Sequence, residues 1–325
     1  SSNNVAAYWG QNSFGQANGP QAQQSLATYC ADTDVDIIPL AFTAVTSTDG
    51  TNAAGEQRMV VNFANAGDNC SIFSGTGLLD CGETIGKDIT TCQEQYNKTI
   101  LLSIGGATYT EGGFPSEDAA ISAAEMVWKT FGPAADAAQV LRPFGNAVID
   151  GFDIDIESTT QNFLPFVRRL RELMDANAAK QYYLTAAPQC PYPDAAVSDL
   201  LDSDVRFDAV FVQFYNNYCG VQSYSNTSDA QASFNFESWD TWAKNATSRQ
   251  SSATPANVKV FLGVPGGVTG AGSGYATLEQ LSPVIEYSQK FESFGGVMVW
   301  DITQAKANEK WLPGVKQVLL NNAEG

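Results

Sequence analysis

The sequence predicts a (β/α)8, or TIM, barrel. Three observations lead there. Eight apolar runs of strand length recur along the chain, at 5–9, 35–45, 98–106, 147–157, 181–189, 207–217, 258–265 and 295–302. Patterns of helical spacing lie between most of them. The chain has 325 residues, a length that suits eight such units. A doubly wound open sheet shares the alternation, but no Gly-x-Gly-x-x-Gly follows the first run.

The helical patterns follow the strands in order. The first is 21–29. The second is 118–131, with Ser116 as candidate cap and Pro133 beyond its end. In 163–176, Leu164, Val167, Leu170 and Leu173 recur at helical spacing, with Arg168, Arg169 and Arg171 mostly outward. The series continues at 195–201, 239–246, 278–292 and 308–320. Two long segments, 46–60 and 67–91, separate the second and third strands. Cys70 and Cys81 lie in the latter and Cys92 just after it. They read as a loop region stapled by disulfides on the rim. About thirty residues separate the seventh and eighth strands, enough for a loop and helix but not for an inserted domain. No linker, low-complexity tract or repeat breaks the chain, so a single domain over 1–325 is expected.

Composition removes several function classes. The net charge of −18 argues against nucleic acid or an anionic membrane as partner. With no histidine, Ser-His-Asp triads, Cys-His pairs and His-based metal sites are excluded. Carboxylates must then carry most acid–base chemistry, with no cofactor expected. No apolar run reaches the ~18 residues of a membrane span. The chain opens Ser1-Ser2-Asn3 without methionine, as a processed protein would. Six cysteines, and sequons at Asn69, Asn97, Asn226 and Asn245, point to an oxidising, extracellular setting.

The fourth strand carries the chemistry. In Asp150-Gly151-Phe152-Asp153-Ile154-Asp155-Ile156-Glu157, alternation puts Asp153, Asp155 and Glu157 on one face. Phe152, Ile154 and Ile156 take the other, and Asp150 has the opposite parity, so it reads as structural. Neighbouring acids on that face lie ~6–7 Å apart along the backbone. Charges that close do not all ionise cheaply, so at least one carboxyl keeps its proton near neutral pH. A protonated carboxyl beside an ionised one is equipment for glycosidic bond cleavage. An edge strand with solvent-facing acids is the plainer alternative. The wholly apolar opposite face and the mid-chain position count against it.

These residues resemble glycoside hydrolase family 18. DGFDIDIE at 150–157 has that family's D-G-x-D-x-D-x-E pattern in full. YWGQN at 8–12, SIGG at 103–106, LTAAPQCPYPD at 184–194, VQFYNN at 212–217 and GGVMVWD at 295–301 agree with its class III, hevamine-like branch. The cysteine-containing region after strand two, and NNYCG at 216–220, look more like the secreted fungal enzymes.

The resemblance implies retaining, substrate-assisted hydrolysis of β-1,4-linked N-acetylglucosamine, the exception to the ordinary two-carboxylate scheme. Glu157 would protonate the leaving oxygen and later activate water. Asp155 would bond the substrate's acetamido N–H, and Asp153 would share a proton with Asp155. Tyr215 would donate to the acetamido oxygen. Trp300 would floor the reacting-sugar subsite, Phe42 would wall the acetamido pocket, and Tyr8, Gln11 and Gln213 would supply polar contacts. Gly105 and Gly106 would let sugar approach the backbone. The family pattern pairs Cys30 with Cys92, Cys70 with Cys81, and Cys190 with Cys219. The implied partners are chitin and chito-oligosaccharides, cut internally in an open groove by a monomer. Two rivals share the motif. A chitinase-like lectin or inhibitor would usually alter the acid position, whereas Glu157, Asp155 and Tyr215 all remain. An endo-β-N-acetylglucosaminidase would release glycans from glycoprotein, and the sequence around Tyr215 and Trp300 favours chitin instead.

Overall fold

The computed structural model describes residues 2–45, 59–133, 140–227, 230–249 and 257–321. In chain order its strands are β1 (Asn4–Ala7), β2 (Ile37–Val45), β3 (Met59–Val61), β4 (Ser71–Ile72), β5 (Leu79–Asp80), β6 (Thr99–Gly105), β7 (Gly151–Asp155), β8 (Tyr183–Ala186), β9 (Ala209–Gln213), β10 (Lys259–Pro265) and β11 (Phe294–Trp300). Eight of these, β1, β2 and β6 to β11, run parallel and close into a barrel, because β1 pairs with both β11 and β2. β3 adds antiparallel to β2, and β4 and β5 form a separate hairpin.

The outer layer holds α1 (Leu26–Cys30), α2 (Lys87–Glu94), α3 (Glu117–Phe131), α4 (Phe163–Ala176), α5 (Ser198–Leu201), α6 (Phe236–Arg249), α7 (Leu278–Ser288), α8 (Ile302–Ala307) and α9 (Trp311–Asn321). Starts follow local chemistry. Ser116 accepts from Ala119 N at the head of α3, and Thr277 and Gln280 form a reciprocal capping box on α7. Between β10 and β11 the chain makes one helix, α7, and no inserted domain.

Strand parity sorts the side chains into two cores. Phe152 and Ile154 of β7 join the large core between barrel and helices. A smaller cluster fills the interior, including Tyr8, Phe211, Tyr215, Phe261 and Met298. Asp153 and Asp155, on the interior face of β7, are 0% and 4% exposed.

Several elements differ from the sequence reading. Segment 67–91 is not simply loop. It carries the β4–β5 hairpin and runs into α2, where only Ile89 and Cys92 are buried, too few to write a helical period. The segment 46–58 lies outside the described residues. All six cysteines are paired, as Cys30–Cys92, Cys70–Cys81 and Cys190–Cys219. Cys30–Cys92 therefore ties α1 to α2 in the outer layer rather than stapling a rim loop. Arg171 is buried rather than outward, because Asp208 Oδ2 accepts from its Nη1 at 3.0 Å and Asp175 from its Nη2. The pattern at 308–320 corresponds to α9, and the sequence reading lacks the short α8 before it, which begins directly after β11 and is capped by Asp301.

Candidate active site

β7 ends at Asp155, and Glu157 follows two residues later at the C-terminal mouth of the barrel, the end where such folds carry their chemistry. Asp153 lies deepest. Three hydroxyls from three other strands, or the residue just past one, converge on it: Tyr8 Oη at 2.7 Å, Ser103 Oγ at 2.7 Å and Thr185 Oγ1 at 2.6 Å. Register makes this possible, since Ser103 pairs with Asp153 across β6–β7 and Thr185 pairs with Asp153 across β7–β8.

Asp155 turns the other way. Its carboxyl lies beside that of Glu157, whose nearness raises it. Gln213, at the end of β9, donates its Nε2 to Asp155 Oδ1 and to Glu157 Oε1, both at 3.2 Å, and to Ala187 O at 3.0 Å. One amide thus gathers both carboxylates.

Burial sets the electrostatics. It pushes the Asp155 carboxyl well above the usual carboxylate range, and the neighbouring charges of Glu157 and Asp153 add to the effect. Burial also raises Asp153, against the lowering effect of its three hydroxyl donors. Tyr215 is pushed well above its ordinary value, first by burial and then by Asp155, Glu157 and Asp153, so it stays a hydroxyl donor.

The cleft above these groups encloses about 740 Å³, open solvent included. Tyr8, Gln11, Phe42, Asp155, Glu157, Gln213, Tyr215 and Trp300 all line it. Trp300 stacks on Phe42 with ring centres 5.9 Å apart and tilts against Tyr8 at 5.6 Å. Asp153 lies beneath this lining, bonded to Tyr8. Gly105 and Gly106 are not among the lining residues, and their reason for being glycine is internal. A Cβ on Gly105 would sit 2.3 Å from Asp155 O, and one on Gly106 would sit 2.8 Å from the Phe42 ring. Tyr8 and Gln11 line the cleft, yet their polar groups are engaged with protein: the Tyr8 hydroxyl with Asp153, and Gln11 Nε2 with Ala41 O and Asn62 O. Asp150 stands at the opposite end of the strand, accepting from Lys180, Gln93 and Ile100 N.

Sequence reasoning missed Ser103 and Thr185, and it missed Thr108, Ala187, Asn216 and Met298 in the cleft wall. Ser103 begins the SIGG motif, in which the glycines are the stronger local signal. Thr185 carried no signal of its own.

The model of glycosyl hydrolases family 18 matches residues 4–287. The chain belongs to glycosyl hydrolases family 18. This family 18 chain is 47% identical over 318 residues to a class III chitinase of Arthroderma benhamiae, covering 98% of the chain and 86% of that relative. It is 45% identical over 309 residues to endochitinase 33 of Trichoderma harzianum, covering 95% and 89%. Among solved structures, a xylanase and α-amylase inhibitor protein from Scadoxus multiflorus superposes with a TM-score of 0.73 at 28% identity, covering 97% of this chain and 98% of that one. The barrel is thus common to proteins named as hydrolases and to one named as an inhibitor.

Proposed function

We propose that the chain is a secreted endochitinase that hydrolyses β-1,4-linked N-acetylglucosamine polymers with retention, using the substrate's own acetamido group as nucleophile. One observation carries the reading. Asp155 and Glu157 come off one strand face, lie side by side and share the Gln213 amide. Carboxylates so placed cannot flank a sugar from opposite sides, as an ordinary double displacement requires.

The steps follow from the geometry. Glu157 donates its proton to the glycosidic oxygen as the C1–O bond breaks. The acetamido oxygen attacks C1 and closes an oxazolinium ring. Asp155 accepts the acetamido N–H, and its negative charge offsets the ring's positive one. Tyr215 donates to the acetamido oxygen before attack. Glu157, now ionised, takes a proton from water, which opens the ring at C1 and restores the acetamido group. Trp300 presents an apolar face to the reacting sugar, and Phe42 closes beside it. The relatives' names support chitin as substrate. The single helix between β10 and β11 leaves the groove open, which suits internal cleavage. Three disulfides fit an oxidising compartment.

Timed product analysis on chitohexaose, with anomers resolved, tests this. The β-anomer should appear first, because two inversions at C1 give retention. An oligomer lacking the acetyl group at the cleaved sugar should resist hydrolysis. Initial α-anomer, or a trapped sugar ester on Asp155, would sink the mechanism.

A further inference from the structure

We infer that Asp301 is a positioning residue that holds the wall of the cleft at Gln11 against its floor at Trp300. The inference rests on the proposed endochitinase reading. Asp301 follows Trp300 directly and is 1% exposed. Its two carboxylate oxygens do different work. Oδ1 accepts from Thr303 N at 3.0 Å, Thr303 Oγ1 at 2.6 Å and Gln304 N at 3.1 Å, which caps α8. Oδ2 accepts from Ser13 N at 3.0 Å, in the loop that follows β1.

The neighbours of Asp301 extend that tie. Thr303 Oγ1 accepts from Phe14 N at 3.1 Å. Gln304 Nε2 donates to Ser13 O at 3.1 Å and to Thr269 Oγ1 at 3.0 Å. Thr303 and Gln304 are each 1% exposed. Loops following β1, β10 and β11 therefore meet in one polar knot, centred on the buried Asp301, Thr303 and Gln304. Gln11 lies two positions before Ser13 in the first of these loops and lines the cleft. Its side chain reaches across to Ala41 O and Asn62 O. That reach needs a fixed backbone: Gln23 Oε1 accepts from Gly10 N at 2.9 Å and from Asn12 N at 3.1 Å on either side of Gln11, and Asp301 holds the next residue, Ser13. Trp300 is held independently by its strand pairing with Pro265.

The split between the two oxygens permits a selective variant. Asp301→Asn keeps Oδ1 as the cap acceptor but turns the other position into an N–H donor facing the Ser13 N–H. Two donors cannot bond, so the loop is released while α8 stays capped. For chitohexaose, Asp301→Asn should raise KM about tenfold with kcat within about threefold of the parent. Gln11→Ala should also raise KM, and the double variant should bind no worse than Gln11→Ala alone, because residues acting through one wall are not additive. Thr303→Val is the second arm: it deletes the acceptor of Phe14 N and should show the same KM rise and the same lack of additivity with Gln11→Ala. Unchanged KM in both single variants, or full additivity with Gln11→Ala, would overturn the inference. Parent protein that fails to cleave chitohexaose would overturn the endochitinase reading instead, so the two failures are distinct.

Discussion

The Tyr8 hydroxyl donates to Asp153 Oδ2 at 2.7 Å, although 145 positions separate the two residues. The contact joins the end of the first barrel strand to the acid buried deepest in the fourth. Tyr8→Phe removes the donor and leaves a buried carboxyl oxygen one partner short. We expect a loss of about 1–3 kcal/mol in unfolding free energy, measured by denaturant titration, together with slower turnover. A variant as stable as the parent would mean that Ser103 and Thr185 alone satisfy Asp153.

Glu157→Gln keeps the shape of the side chain and removes its transferable proton. Turnover of chitohexaose should fall by about 10²–10⁴-fold, the range of a general acid–base group, or further, since one residue serves both steps. Binding of the oligomer, followed by calorimetry, should be largely kept. Near-normal turnover would remove Glu157 from its role.

Asp155 makes stability depend on pH in a defined direction. Its folded pKa is raised well above the usual carboxylate range by burial and by Glu157 and Asp153. A group of this kind favours the fold most at pH below its unfolded value of ~3.9. That contribution is lost as pH rises towards the folded value, because the unfolded chain gives up the proton first. Asp155→Asn removes the titration. Its melting temperature at pH 7 should exceed the parent's, and the gap should narrow as the pH is brought down towards 4. A gap that widens on acidification would contradict the raised pKa.

Two of the disulfides should differ in worth. Cys30–Cys92 spans 62 residues and Cys70–Cys81 spans 11. Chain-entropy reasoning gives losses of about 4 kcal/mol and about 3 kcal/mol on replacing each pair by alanine. Equilibrium unfolding of the two double variants should rank them in that order. The opposite ranking would mean that local packing around the hairpin outweighs loop length.

The acids are legible in the chain itself because strand alternation is a local rule. Asp153, Asp155 and Glu157 share a face by parity alone, and the bulky apolar residues between them point away for the same reason. The eight strands are legible too, since each is a run of neighbouring residues. Their boundaries are less so: the fourth reads as 147–157 but pairs only over Gly151–Asp155. Pairing depends on a partner strand that the run itself does not name.

The direction of each acid is not written locally. Asp153 turns to Tyr8, Ser103 and Thr185, while Asp155 turns to Glu157 and Gln213. Most of those partners lie on other strands or just past their ends, and only barrel closure and register bring them together. Gly106 shows the same limit, since the Phe42 ring that excludes a Cβ there belongs to a different strand. Arg171 reads as an outward charge in the sequence, and the fold buries it because its partner Asp208 waits on another segment. The sequence by itself determined the periodicity, the acid face and the family. Tertiary structure alone decided which buried polar groups meet, because a hydrogen bond requires partners within about 3 Å and chain order does not set that distance.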